Sequence, residues 1–374
     1  MSGRALYHSV IPSNARPDSL GYTELQVVDF LVSFPERMIA LNKIRITGKL
    51  EIFSDAAQTT PLAAQKVQLD PLVGAHSLFS SVQTFANGIS IDNVMDYPRM
   101  VKVLTAASEN VQDMNMASNL CELKAPSNHI QEVLIKPEII PVQQATPRSE
   151  TVSFSVKPMI AVNQAIGQRD FLSHSKSGDV RVSVTLNRNN AVLFGTGNTA
   201  AMNYKITDLR LEAVSYPDDG DASPVIMRKR QQLKQSFEGT SAQLNFNYPM
   251  VANKVYGSFL KNSFENNFAE NNTQLNKVPN VDRLGFFWNN STNQYVSYQL
   301  RSSPEILDRA IDAVGDTGKN SASLQKLANN DGYLIGLHLG EYLDLMRTKM
   351  SVVIDSANTD NLILFMIAEG VLQL

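Results

Sequence analysis

At 374 residues the chain is long enough for two single-core domains, and 43% hydrophobic against 18% charged residues is the balance of a globular protein with a modestly charged surface. A formal net charge of −3, from 33 basic and 36 acidic residues, lacks the basic footprint of a sequence-independent nucleic-acid binder. The single cysteine, Cys121, excludes an intramolecular disulfide and a multi-cysteine metal site, and reads as a small buried thiol.

In chain order, residues 1–21 hold Pro12, Pro17 and small polar residues with little periodicity, which predicts an N-terminal arm outside the core. Met1 to Asn14 has no apolar signal-peptide stretch, so synthesis in a cytosol is expected, and no run approaches the ~18 apolar residues of a membrane span. Strand-like runs follow from Tyr22 to Phe34 and from Ile39 to Phe53. In the second, Ile44, Ile46, Gly48, Leu50 and Ile52 share one face and Lys43, Arg45, Thr47, Lys49 and Glu51 the other. Residues 54–75 read as a connection.

Leu78 to Ala86 and Ile89 to Ile91 flank Asn87-Gly88, a pair that tolerates positive φ and marks a hairpin. Pro98 then opens a helical pattern with apolar residues at 100, 101, 104 and 107. Glu109 to Ala125 suggests a second short helix, and the prolines at 126, 137, 141 and 147 make 126–150 an irregular excursion. Thr151 to Val162 returns to strand character, with Pro158 implying an edge or a bend. Val180, Val182, Val184 and Leu186 alternate with polar residues as a half-buried strand does, and Tyr204 to Val214 is a further strand.

Proline, glycine and a switch of charge across Tyr216-Pro217-Asp218-Asp219-Gly220-Asp221, Ser223-Pro224 and Arg228-Lys229-Arg230 predict an interdomain linker over 217–230. The second half repeats the plan of the first. Strands are expected at Ala242 to Tyr248 and Lys254 to Leu260. Leu284 to Trp288 and Tyr295 to Leu300 form a hairpin about an Asn-rich turn, and Pro304 opens a helix with apolar residues at 306, 307, 310, 311 and 314. Met350 to Ile354 and Asn361 to Ala368 are the closing strands. The two helix-opening prolines fall in matching places, so the chain reads as a duplication: an all-β protein of two tandem jelly-roll (antiparallel β-sandwich) domains with short helices in the connections. The expected division is an arm over 1–21, a first jelly roll over 22–216, a linker over 217–230 and a second jelly roll over 231–374.

Nothing in the sequence assembles a catalytic centre. The histidines at 8, 76, 129, 174 and 338 share no metal-ligand spacing. His174, between Ser173 and Ser175 with Asp179 nearby, reads as a solvated loop residue. Gly195-Thr196-Gly197 lacks the further residues of a phosphate loop, Asp218 to Asp221 lacks the spaced ligands of a calcium loop, and no aromatics interleave Arg228-Lys229-Arg230. Phe286-Phe287-Trp288 reads as sheet core. Catalytic, cofactor-binding and metal-binding residues are therefore all assigned as none.

His76-Ser77-Leu78-Phe79-Ser80-Ser81-Val82, Asn87-Gly88 and Tyr97-Pro98 with its apolar helix resemble a stretch of the double jelly-roll major capsid proteins of icosahedral viruses. That lineage includes tectivirus-like phages, adenoviruses, virophages and polinton-like viruses. Tyr204 to Ala213 is similar to the strand that closes the first jelly roll there. The resemblance implies a structural, non-enzymatic subunit without cofactors, found in the virion and made in the host cytoplasm. It implies a homotrimer forming a pseudo-hexagonal capsomer. Partners would be neighbouring capsomers, minor capsid or penton proteins and an internal membrane layer reached by the N-terminal arm, with no sequence-specific nucleic-acid binding. The alternatives are another virion β-protein (a penton, spike or receptor-binding adhesin) or a two-jelly-roll carbohydrate-active enzyme, which would require convergent carboxylates in a cleft.

Overall fold

The computed structural model describes residues 4–17, 20–60, 67–108, 121–124, 151–195, 202–220, 223–278, 281–289, 295–300, 302–314 and 333–374. The first half contains β1 (Leu6–Val10), β2 (Val27–Val32), β3 (Arg37–Ala40), β4 (Arg45–Phe53), β5 (Phe79–Ala86), β6 (Ile89–Val94), α1 (Tyr97–Ser108), β7 (Val152–Val156), β8 (Phe171–Ser173), β9 (Val180–Leu186) and β10 (Asn203–Pro217). The second half contains β11 (Ile226–Phe237), β12 (Ser241–Phe246), β13 (Val251–Lys261), β14 (Val281–Asn289), β15 (Tyr295–Leu300), α2 (Ser303–Val314), β16 (Ile335–Asp344), β17 (Lys349–Ser356) and β18 (Leu362–Gln373).

Each half folds into two packed antiparallel sheets. In the first, one sheet runs β2-β9-β5-β6. The order of the other follows from register. Glu212 of β10 pairs with Ser9 of β1 and with Arg45 of β4, while Ser215 pairs with Leu6 of β1 and with Ile39 of β3. So β1 lies on one side of β10, and β3 and β4 continue one another on its other side, bordered by β8 and β7 respectively. The second half repeats both orders, as β12-β17-β14-β15 and β11-β18-β13-β16. β1 therefore corresponds to β11, β2 to β12, β3 with β4 to β13, and β5 and β6 to β14 and β15. Likewise α1 corresponds to α2, β7 with β8 to β16, and β9 and β10 to β17 and β18. Two sandwiches of this connectivity are tandem jelly rolls.

Local chemistry explains the elements. The β5–β6 turn places Asn87 at φ 48° and Gly88 at φ 75°, the left-handed region such a two-residue turn requires. Pro98 and Pro304 sit in the first turns of α1 and α2, where no intrahelical N–H is needed. β9 buries Val180, Val182, Val184 and Leu186 and turns Arg181, Ser183 and Thr185 outward. β18 is buried along Leu362 to Gly370, on both faces, as its unbroken apolar run demands. At Gly257 of β13 a Cβ would come 1.9 Å from the Phe365 carbonyl oxygen, so the close approach of β13 to β18 needs glycine.

Several expectations are corrected. Within the arm expected over 1–21, Leu6–Val10 is instead the outer strand of the first jelly roll, paired residue for residue with Leu211 to Ser215. The interdomain connection is shorter than 217–230, because Ile226 already pairs with Gln373 and Arg230 with Glu369. The strand expected over Ile39 to Phe53 is interrupted at Asn42, whose φ is 60°. There Asn163 bridges the gap, accepting from the Ile44 N–H at 3.1 Å and donating to the Ile44 carbonyl at 2.8 Å. Tyr22 makes only an isolated bridge to Ile206, and β2 begins at Val27. β7 ends at Val156, two residues before Pro158. Most of the second short helix expected over Glu109 to Ala125, and all of 126–150, lie outside the described residues.

Candidate functional site

The densest polar chemistry lies along the seam where the two jelly rolls meet. β11 of the second roll packs against β6 and the turn at 161–163 of the first. On β11, Arg228, Arg230, Gln232 and Lys234 alternate onto the sheet face turned toward the first roll. Arg230 is buried there, its Nε 2.6 Å from Glu369 and 3.1 Å from the Tyr256 hydroxyl, and its Nη1 donates to Gln164 Oε1 at 3.3 Å. Burial alone would raise the Glu369 pKa, but Arg230 and the Tyr256 hydroxyl hold it below the usual glutamate value. The basic triplet is thus no exposed patch: its last residue is spent on a carboxylate 139 positions away.

Further along the seam, the Met95 N–H donates to Gln232 Oε1 at 3.1 Å. Arg99 on α1 reaches Glu265 of the second roll at 2.7 Å, and Lys234 lies 3.7 Å from Asp96. Asp70, 2% exposed, accepts from Lys102 of α1, and from Asn271 Nδ2 at 2.6 Å and Thr273 Oγ1 at 2.8 Å of the second roll. Asp92 on β6 is buried with Oδ2 accepting from the Ala161 N–H at 2.8 Å, while Oδ1 has no hydrogen-bond partner among the described residues. Burial pushes its pKa up to about 7 against the pull of Arg230 and Lys229.

A second cluster anchors α1. His76 is fully buried, with Nδ1 2.7 Å from the Tyr97 hydroxyl and Nε2 3.1 Å from Glu122. Nε2 faces the Glu122 carboxylate, which can only accept, so the ring is assigned the Nε2–H tautomer and Nδ1 accepts from the Tyr97 hydroxyl, which itself accepts from the Met159 N–H at 3.0 Å. Burial lowers the His76 pKa, which suits that neutral ring. Glu122 stays ionised against its own burial, with His76 and with Lys124 at 3.2 Å beside it, and accepts from the Lys157 N–H at 3.0 Å. The histidine and Tyr-Pro positions singled out in the sequence therefore pin the helix to the sheet.

The remaining sequence candidates are scattered. His8 stacks on Phe34 at 3.8 Å and reaches Ser215, His174 pairs with Asp179 at 3.0 Å in the open, and His338 lies on β16. Among the described residues no group of three or more His, Cys, Asp or Glu is placed to hold a metal ion. The Asp218 carboxylate accepts from the Gly220 N–H of its own turn, from Ser173 at the end of β8 and from Ser175 just beyond, which ties that turn to the first roll. Phe286 and Trp288 are core, whereas Phe287 lies on the opposite face, its ring over Gly285. Cys121 is exposed, contrary to the buried thiol expected. His129, Thr196, Gly197 and Asp221 lie outside the described residues. Sequence reading missed the seam because Asp70, Asn271 and Thr273 sit in loops, where polar residues read as turns.

Two tandem jelly rolls, each with its helix after the corresponding hairpin (β5–β6 and β14–β15) and joined along a polar seam, define the double jelly-roll fold. No protein-family model matches the chain, and no curated protein sequence matches it. Among solved structures it is similar to the capsid of the virus PBCV-1, at 11% identity with a TM-score of 0.62, covering 100% of this chain and 95% of that one. It is also similar to the Faustovirus major capsid protein (10% identity, TM-score 0.57, 100% and 90% covered) and to the mavirus major capsid protein (10%, 0.54, 98% and 90%). At identity this low the structural likeness shows the shared fold alone.

Proposed function

We propose that the chain is a major capsid protein, a structural and non-enzymatic subunit of an icosahedral virion shell. The observation that carries this reading is the duplication itself. Each copy holds two jelly rolls of the same strand order, and the likeness to capsid subunits runs end to end rather than over one roll. Three copies supply six similar sandwiches, which tile a hexagonal footprint with a three-fold axis. The Arg99–Glu265 ion pair and the bonds from Asn271 and Thr273 to Asp70, each made between the two rolls, keep the two sandwiches of one copy in fixed relation, as a shell tile requires. The partners are two further copies of the chain, neighbouring capsomers and minor capsid or penton proteins; the working location is the virion. Light scattering on the purified full-length chain tests the reading: a mass three times that of the chain is expected, and a stable monomer at micromolar concentration overturns it.

A further inference from the structure

Within one copy, the outer edge of β11 is closed by the first jelly roll. Met227 bridges Ala165 in antiparallel fashion, the Ile166 N–H donates to the Ile226 carbonyl at 3.0 Å, and the Arg228 N–H donates to the Gln164 carbonyl at 2.9 Å. The closing segment, 164–166, lies in the break between β7 and β8.

β1 holds the same place in the first jelly roll as β11 in the second, next to the last strand of its roll. Among the described residues nothing pairs with its outer edge. A free edge with apolar side chains is a template for association, and this one carries Leu6, Tyr7 and, just beyond, Ile11, exposed by 41%, 85% and 62%. Tyr7 also borders a groove of about 520 Å³ with Lys43, Arg45, Glu212 and Tyr216. The matching face of the second roll, carrying Arg230 and Gln232, is covered by the first roll.

The second roll has a counterpart of the closing segment. The break between β7 and β8 corresponds to the slip of register in β16, where Lys254 pairs with His338 but Ala252 with Leu343. Between them Gly340 stands at φ 77° and Tyr342 projects with 53% exposure. Met346, two residues past the end of β16, is 67% exposed.

We propose that the β16 bulge at Tyr342 of one copy closes the β1 edge at Tyr7 of the next, repeating between copies the contact that 164–166 makes on β11 within a copy. The partner is a second copy of this chain, and the inference rests on the capsomer reading. Because the surfaces at the two ends of the contact differ, it is head-to-tail and closes as a ring of three. The apolar residues on both surfaces then leave water together.

Thiol cross-linking tests this on the full-length chain, with Cys121→Ser removing the one native thiol. Tyr7→Cys and Tyr342→Cys are introduced singly and together and treated with a short bis-maleimide. The double variant is expected to give covalent dimers and trimers on a denaturing gel, a mixture of the two single variants dimers only, and each single variant alone none. A trimer by light scattering whose double variant does not cross-link, or whose Tyr7→Cys variant cross-links to itself, overturns this contact and leaves the capsomer reading standing. A chain that stays monomeric overturns both. As an independent check, Tyr342→Glu should weaken trimer formation by about tenfold or more. Its β-sheet circular dichroism should be unchanged, and an unaltered trimer affinity contradicts the proposal.

Discussion

Lys102 Nζ lies 2.9 and 2.7 Å from the two carboxylate oxygens of Asp70, and both side chains are almost wholly shielded from water. Asp70 completes its shell with Asn271 and Thr273 from the other jelly roll, so this one carboxylate ties α1, the connection before β5 and the second roll together. With the Leu72 and Val73 N–H groups also donating to it, this buried charge is held by six donor contacts and resists local movement more than the same residues would as surface pairs.

Removing the cation should therefore be costly. Lys102→Met strands a buried carboxylate and is expected to lower stability by about 3–5 kcal/mol. Asn271→Ala removes one of several donors and should cost about 1–3 kcal/mol. Urea denaturation of the two variants gives the comparison, and an equal, small loss for both would contradict the picture.

The same site sets an acid limit. Burial would raise the Asp70 pKa, but Lys102 and the Asn271 and Thr273 bonds hold it below the ordinary aspartate value. A carboxylate lowered on folding contributes stability above its unfolded value, lost as pH falls through the folded one. Asp70→Asn should flatten the acid limb of a stability-against-pH curve below about pH 4; an unchanged limb would exclude Asp70 as its source.

Asp92 works in the opposite sense. Its pKa rises from 3.8 unfolded to about 7 folded. Its contribution is fully present below pH 3.8 and is lost as pH rises to about 7, a difference on the order of 4 kcal/mol. Asp92→Asn keeps the acceptor for Ala161 and should make the protein more stable than the parent at pH 8 while matching it near pH 4. Thermal unfolding at both pH values is the measurement, and a loss at pH 8 would refute the assignment.

Tyr97→Phe should cost about 1–3 kcal/mol, because it leaves the buried Met159 N–H and His76 Nδ1 without the hydroxyl that serves both. A variant as stable as the parent by denaturant titration would show that the hydroxyl does not carry the pin.

The architecture was legible where local chemistry decides it. Asn87-Gly88, the paired Pro98 and Pro304, and the alternation of Val180 to Leu186 each declare an element from its own few residues, and together they disclose two similar halves. β1 was not legible: five residues, two of them His8 and Ser9, give too short a period, and the pairing that makes them a strand comes from β10 about two hundred positions on. The interruption at Asn42 was hidden because its cause, Asn163, lies 119 positions past Ile44. The seam was illegible for the same reason. Asp70 and Thr273, or Arg230 and Glu369, look like ordinary polar residues until the second jelly roll brings them together.

Electron microscopy of the purified full-length protein tests the capsid assignment most directly. Class averages are expected to show particles of hexagonal outline with a three-fold axis and six lobes, one for each jelly roll. A uniform field of two-lobed single copies at micromolar concentration would contradict it.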